Sequence, residues 1–274
     1  MNNLKEEKQE IIDAIEFSMH MINGVEGVYE KIQFENLSGY ICPAVDFEEF
    51  NTVGMSRLEE NQVDDTIKQV IDHYSSSGLT KLAWVLSPQS KPSNLVEKLE
   101  SNGFKEEIPV LGMFRPVEKK LDINVTNEFE FKEHTLEETL QLFEDPEFCR
   151  KYEKAYGMPE GAIDIVKLMA AAYQGLEFTS FIAYEKINNK PVGFSMILYV
   201  PGTKIGMLAG AATLPEHRGK GVYSAMLKLR NEKAKRDGKE NLIIQAKEAT
   251  SAPIALKNGF EQVCELPFYV WRKE

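Results

Sequence analysis

The chain has 274 residues, 43% of them hydrophobic and 27% charged, the make-up of a folded protein with one large core or two ordinary ones rather than of a disordered one. Its 32 basic and 43 acidic residues leave a net charge of −11, which argues against a groove for DNA or RNA phosphates and leans toward cationic small molecules. The three cysteines stand far apart with no C-x-x-C pair, the N-terminus "MNNLKEEKQE" is too charged for a signal peptide, and no apolar run approaches 18 residues, so a reducing compartment, the cytoplasm, is expected, with no membrane contact.

Residues 5–22 carry Ile11, Ile12, Ile15, Phe17, Met19 and Ile22 at roughly helical spacing, so an amphipathic helix opens the chain. Two strand-like runs follow, around 27–34 and 39–45, and then the segment 48–58. Asp64 or Asp65 is placed to cap a second helix, with Ile67, Val70 and Ile71 on its inner face and Gly78 at its end. A strand "KLAWVLS", a helix "NLVEKLESNG" and a strand "PVLGMFRPV" complete the first half. The segment "PVEKKLDINVTN", 116–127, is polar, holds a proline and lacks apolar periodicity. It is the expected boundary between an N-terminal domain, 1–120, and a C-terminal domain, 125–274.

The second half opens with a strand at 128–134 and a capping-box pattern, Thr135 with Glu138, ahead of helices that continue to about 173. Two strands in 178–200 are joined by a turn at Asn188-Asn189-Lys190, and "KIGMLAGAATL" is a third, its Gly206 and Gly210 suggesting a bulge or a close backbone approach. Then comes "LPEHRGKGVYSAMLKL", whose helix would run to about Asp237 with Val222, Ala225, Met226 and Leu229 inward. A strand at 241–246, a short helix at 251–259 and one or two strands at 261–273 end the sequence. "VEKLESNGFKEEIPVLGMF" and "PIALKNGFEQVCELPFYVW" both place a helix before Asn-Gly-Phe and a strand after it, about half a chain apart, which reads as duplication of a half-chain unit.

Gly219 and Gly221 fall where a helix begins, and Arg218 and Lys220 add positive charge. Free amides and the positive end of a helix dipole suit a phosphate there. The same residues fit an ordinary strand-to-helix turn with solvated basic side chains. A Walker A loop is excluded, because Leu214 stands at the spacing that its first glycine requires, and a strict dinucleotide fingerprint fails at Ser224. Nor is there an H-E-x-x-H, an acidic calcium loop or a G-x-S-x-G, and no metal is expected.

What remains is R-x-x-G-x-[G/A], with Arg218, Gly221 and, in the variable last place, Tyr223. Together with the strand before it and the "NLIIQA" and "SAPIALKNGF" segments after it, this loop resembles the GCN5-related N-acetyltransferase (GNAT) family over about 125–274. Residues 1–120 resemble the degenerate N-terminal half of that family's tandem members, anchored by "LVEKLESNGF". The resemblance implies tandem α/β folds, mixed twisted sheets flanked by helices. It implies acetyl-CoA as co-substrate, its pantetheine along Ala211, Ala212 and Thr213 and its pyrophosphate on Gly219, Lys220, Gly221, Val222, Tyr223 and Ser224, with Arg218 at the loop's start.

The N-terminal half has no such loop, so one cofactor site per chain is expected. The implied reaction is direct acetyl transfer to a primary amine of a small molecule or peptide. The alternative is a catalytically weakened acyl-CoA-binding or regulatory protein. Many members carry a tyrosine as general acid four residues before the Gly-Phe glycine; here that position is Ala255. Tyr269 or Ser251 could stand in for it, and Glu185, Glu216 and His217 are candidates for the base, though each carboxylate also reads as a solvated surface charge. The acceptor's identity is not legible, and a monomer or a homodimer is expected.

Overall fold

The computed structural model describes residues 2–107, 110–121, 123 and 127–273. In chain order the elements are α1 (Asn2–Ser18), β1 (Glu30–Phe34), β2 (Leu37–Ile41), β3 (Thr52–Gly54), α2 (Val63–Ser76), β4 (Lys81–Val85), α3 (Leu95–Ser101), β5 (Phe104–Glu106), β6 (Val110–Pro116) and β7 (Phe129–His134). They continue with α4 (Leu136–Leu142), α5 (Pro146–Tyr156), α6 (Ala162–Leu168), β8 (Phe178–Glu185), β9 (Lys190–Tyr199), β10 (Ile205–Thr213), α7 (Val222–Arg236), β11 (Asn241–Lys247), α8 (Ser251–Lys257), β12 (Glu261–Leu266) and β13 (Phe268–Arg272). Among the described residues, no helix is long and apolar enough to cross a membrane.

Two compact units divide the chain, one of 1–112 with 246–255 and 262–274, the other of 113–245 with 256–261. These units differ from the expected cut between 120 and 125, which gave every later residue to the second domain. The physical reason is strand pairing: β13 lies antiparallel to β4 on one side and to β5 on the other, inside the first unit's sheet. Of the expected linker, 116–127, Pro116 still belongs to β6, and residues 122 and 124–126 lie outside the described residues.

In the first unit the sheet order is β1-β2-β3-β4-β13-β5, with β3 and β4 parallel. Its core holds Leu37, Val53, Ile67, Val70, Tyr74, Trp84 and Phe104, all under 3% exposed, so the inner face read for α2 is the packed one. Its cap differs. Gln62 precedes α2 without a side-chain hydrogen bond, and Asp64 and Asp65 stand inside its first turn, where they face the positive end of the helix dipole. In α1, Ile11 and Ile15 are buried, but Phe17 is 39% exposed.

In the second unit strands run in the order β6-β11-β10-β9-β8-β7, with β10 and β11 parallel and β7 to β10 antiparallel in succession. Alternation along the strands gives the sheet two apolar faces. Ile182, Tyr184, Phe194 and Ala212 pack with Phe148, Tyr152 and Ile163 of α5 and α6. Ala183 and Val192 pack with Val222 and Met226 of α7. Helices therefore cover both faces, the mixed α/β architecture expected. The capping box at α4 forms as read, with Glu138 N–H donating to the Thr135 hydroxyl at 3.2 Å and Thr135 N–H to the Glu138 carboxylate at 2.7 Å. On α7, Leu227, Arg230 and Asn231 are buried, whereas Leu229 is only half-buried.

Candidate functional site

β10 parts from both its neighbours at one level. Its parallel ladder with β11 runs from Ile205 opposite Asn241 to Leu208 opposite Ile244, while the strand itself continues to Thr213. Against β9, the register shifts between Ala209 and Ala212, a bulge. Gly210 sits in the bulge at φ +57°, and a Cβ there would meet Met196 Cε at 2.7 Å, so backbone geometry and packing both require glycine. From α5, the Tyr152 hydroxyl donates to the Gly210 carbonyl at 2.7 Å and pins the bulge. Burial raises the Tyr152 phenol well above its ordinary pKa, so it remains a donor at any working pH.

After Thr213 the chain makes one 3-10 turn, Pro215–His217, and reaches the glycine loop. Gly219 (φ +76°) and Gly221 (φ +79°) are both left-handed, and Gly221 is the N-cap of α7, with no side chain closing it. The first helical bond is Ala225 N–H to the Gly221 carbonyl at 2.9 Å. Among the described residues the amides of Gly219, Lys220, Gly221, Val222, Tyr223 and Ser224 donate to no backbone acceptor. No acidic residue stands in the first turn of α7. Free amides and an uncompensated dipole end favour an anion. The equivalent crossover of the first unit, from β3 to β4 through α2, has the opposite character. Its loop, 55–62, lacks glycine and carries Glu59 and Glu60, and Asp64 and Asp65 follow in the helix.

Arg218 Nε donates to the Thr213 carbonyl at 3.2 Å and its Nη2 to the Ala155 carbonyl at 3.1 Å. It ties the end of β10 to the last turn of α5, where free carbonyls and the negative dipole end suit a cation. Ala212 and Thr213 are buried, Ala211 is half-buried, and Thr213 Oγ1 has no hydrogen-bond partner among the described residues.

The candidate acid–base groups separate. Glu185 Oε1 and His217 Nδ1 come within 4.0 Å, and the His217 ring packs edge-on against Phe129. Glu216 lies 3.9 Å from Lys151. Tyr269 packs in the core of the first unit, 4% exposed, and burial raises its phenol pKa. Ala255 is buried in α8 and offers no hydroxyl. Two residues that the sequence did not single out, Tyr152 and Arg230, reach the parting of the strands by hydrogen bonds to Gly210 and Met196. Elsewhere, the first unit has an open groove of about 620 Å³ lined by Leu86, Pro88, Pro92, Leu95 and Cys264 among others. Burial pushes the Cys264 thiol up to about 11, which makes it a poor nucleophile.

The sequence model of the acetyltransferase (GNAT) family matches residues 138–260, the span that holds the bulge, the glycine loop and α7. Over these residues the chain is similar to a GNAT acetyltransferase domain. Solved structures extend the likeness in fold to the whole chain. A GCN5-related N-acetyltransferase from Kribbella flavida superposes with a TM-score of 0.66 at 12% identity, covering 90% of this chain and 91% of that one. A functionally unknown conserved protein from Staphylococcus epidermidis gives 0.65 at 16% identity, covering 94% and 98%. A tandem GNAT protein from the clavulanic acid biosynthesis pathway gives 0.59 at 10% identity, covering 98% and 95%. At such identities the likeness is one of fold, and the fold is the tandem GNAT fold. No curated protein matches the chain by sequence.

Proposed function

We propose that this protein is a GNAT N-acetyltransferase that transfers the acetyl group of acetyl-CoA directly to a primary amine of a small molecule or peptide, in the cytoplasm. The observation that carries the reading is the uncapped start of α7, six amides without a backbone acceptor and no acidic neighbour, directly after a strand that has left its parallel partner. A pyrophosphate fits such a cluster without needing a particular side chain. The backbone of Ala211, Ala212 and Thr213, beyond the last pair of the β10–β11 ladder, suits the amides of a pantetheine arm. The unsatisfied Thr213 hydroxyl is a further polar group in want of a partner.

Bound there, acetyl-CoA supplies an activated acyl group. The chain's residues orient it, keep the loop amides aimed at its phosphates and hold the acceptor's proton. For that proton the carboxylate of Glu185, half-buried, four ångströms from His217 through one oxygen and accepting from Asn188 at 2.6 Å through the other, is the stronger candidate, because Glu216 is more exposed and faces Lys151. A second reading, an acyl-CoA-binding protein without turnover, is favoured by one feature, Ala255 in place of the family's tyrosine. Free-thiol release from acetyl-CoA across an amine panel separates the two. Release that depends on the amine supports transfer; tight binding with no release for any amine supports the second reading. Failure to bind acetyl-CoA in calorimetry would sink both.

A further inference from the structure

Arg230 and Arg115 are both 0% exposed, yet the second unit treats them differently. Arg115 is satisfied all round: Nε donates to the Asn258 carbonyl at 3.1 Å, Nη1 to Asn231 Oδ1 at 2.6 Å, and Nη2 to the Lys119 carbonyl. Arg230 has two long contacts, Nε to the Met226 carbonyl at 3.3 Å and Nη1 to the Met196 carbonyl at 3.4 Å, and its Nη2 has no partner among the described residues. No carboxylate among those residues pairs with it; the neighbouring titratable group is Tyr223, whose phenol adds a side-chain hydrogen-bond interaction and whose ring centre lies 5.9 Å from the guanidinium carbon. Ser195 Oγ is also buried without a partner. It lies on the α7 side of β9, the side on which a Cβ at Gly193, two residues before it, would meet Val222 and Met226. Burial depresses the Arg230 pKa, but a guanidinium stays charged. A buried cation without a counter-charge is costly.

Its place in the fold suggests what it is for. Met196 pairs with Ala209, the last regular residue before the bulge, so the guanidinium meets the sheet where β10 parts from its neighbours. Tyr223, in the first turn of α7, lies about 10 Å of helix before Arg230. A ligand anchored by phosphates on that first turn and laid along the open stretch of β10 runs toward this level.

We propose that Arg230 is a catalytic residue that stabilises the coenzyme A thiolate as it departs, supplying by charge what no hydroxyl at position 255 supplies. The inference rests on the proposed acetyl-CoA site. In the step it serves, the amine nitrogen bonds the acyl carbon, the C–S bond breaks with its electron pair left on sulfur, and the proton shed by the amine passes to the base proposed above, the Glu185 carboxylate. The cation of Arg230 offsets the charge gained by sulfur.

Coenzyme A itself is the probe, so no acceptor need be known. Thiolate absorbance is followed as bound coenzyme A is titrated on the wild-type protein, on Arg230→Met and on Arg230→Lys, with free coenzyme A as reference. The wild-type protein should lower the thiol pKa by a unit or more, a tenfold gain in thiolate below that pKa; Arg230→Met should abolish the shift and Arg230→Lys retain part of it. Arg230→Met should also melt at the same temperature as wild type or higher, because it removes an uncompensated buried charge. Wild type and Arg230→Met titrating alike, or a large loss of melting temperature in Arg230→Met with an unshifted thiol in the Lys variant, would overturn the inference while leaving the site intact. Absence of coenzyme A binding would overturn the site and the inference together.

Discussion

Tyr152 lies among the aromatic residues on the buried face of α5, and its hydroxyl spans the gap to the Gly210 carbonyl. Tyr152→Phe keeps the ring and strands that carbonyl, so it should cost about 1–2 kcal/mol and weaken coenzyme A binding several-fold through a slackened bulge, read by thermal melting and calorimetry. His20, in the first unit, gives a second test. It is 4% exposed, its Nδ1 lies 3.2 Å from Ser38 Oγ, Lys31 donates to its carbonyl at 2.7 Å, and burial with the Lys31 charge lowers its pKa to about 4, against a smaller opposing pull from Glu16. Above pH 6.5 the ring is neutral folded or unfolded. As pH falls from 6.5 toward 4 only the unfolded chain takes the proton, so stability should drop by up to about 3 kcal/mol across that window. Urea unfolding followed by tryptophan fluorescence reads the first unit alone, since Trp84 and Trp271 both belong to it; His20→Gln should flatten the slope. Single residues were legible where their chemistry is local, as with Thr135 and Glu138. They were illegible where a partner comes from far along the chain: a helical tyrosine reads as core and a helical arginine as surface, and nothing nearby in sequence announces Gly210 or Met196.

At the scale of elements, the contrast between α7 and α2 decides where an anion can sit. Both helices cross between parallel strands, but α2 answers its own dipole with Asp64 and Asp65, and α7 leaves its start to glycine. Gly221→Ala should cost about 1 kcal/mol for a left-handed residue with a side chain. Gly221→Glu should lower the melting temperature by a similar amount, yet reduce coenzyme A affinity far more, by roughly a hundredfold, because its carboxylate competes for the same amides. Equal losses of affinity in the two variants would reduce the loop to a turn. The start of this helix was readable because left-handed glycines leave a mark in sequence. Its inner face was less so. Arg230 and Asn231 are buried polar groups that break apolar periodicity, and Leu227 rather than Leu229 turns inward.

Over the whole molecule, the two-unit organisation was legible from the recurring helix, Gly-Phe and strand, and Gly103 and Gly259 both take the left-handed form that ends such helices. Which strand completes which sheet was not, because pairing between β13 and β4 joins residues far apart and leaves no local pattern. Residues 1–120 expressed alone lack β13, so β4 and β5 lose the strand between them. That fragment should show no cooperative unfolding and rapid proteolysis, and adding a peptide spanning 262–274 should restore part of the protection. The same return of the chain sets a schedule during synthesis. At about 5–20 residues per second, the ribosome takes roughly 8–32 s to pass from β5 to β13. Throughout that interval Trp84 and Phe104 wait on strands with an open edge, a standing invitation to chaperones and to the nascent chains of neighbouring ribosomes.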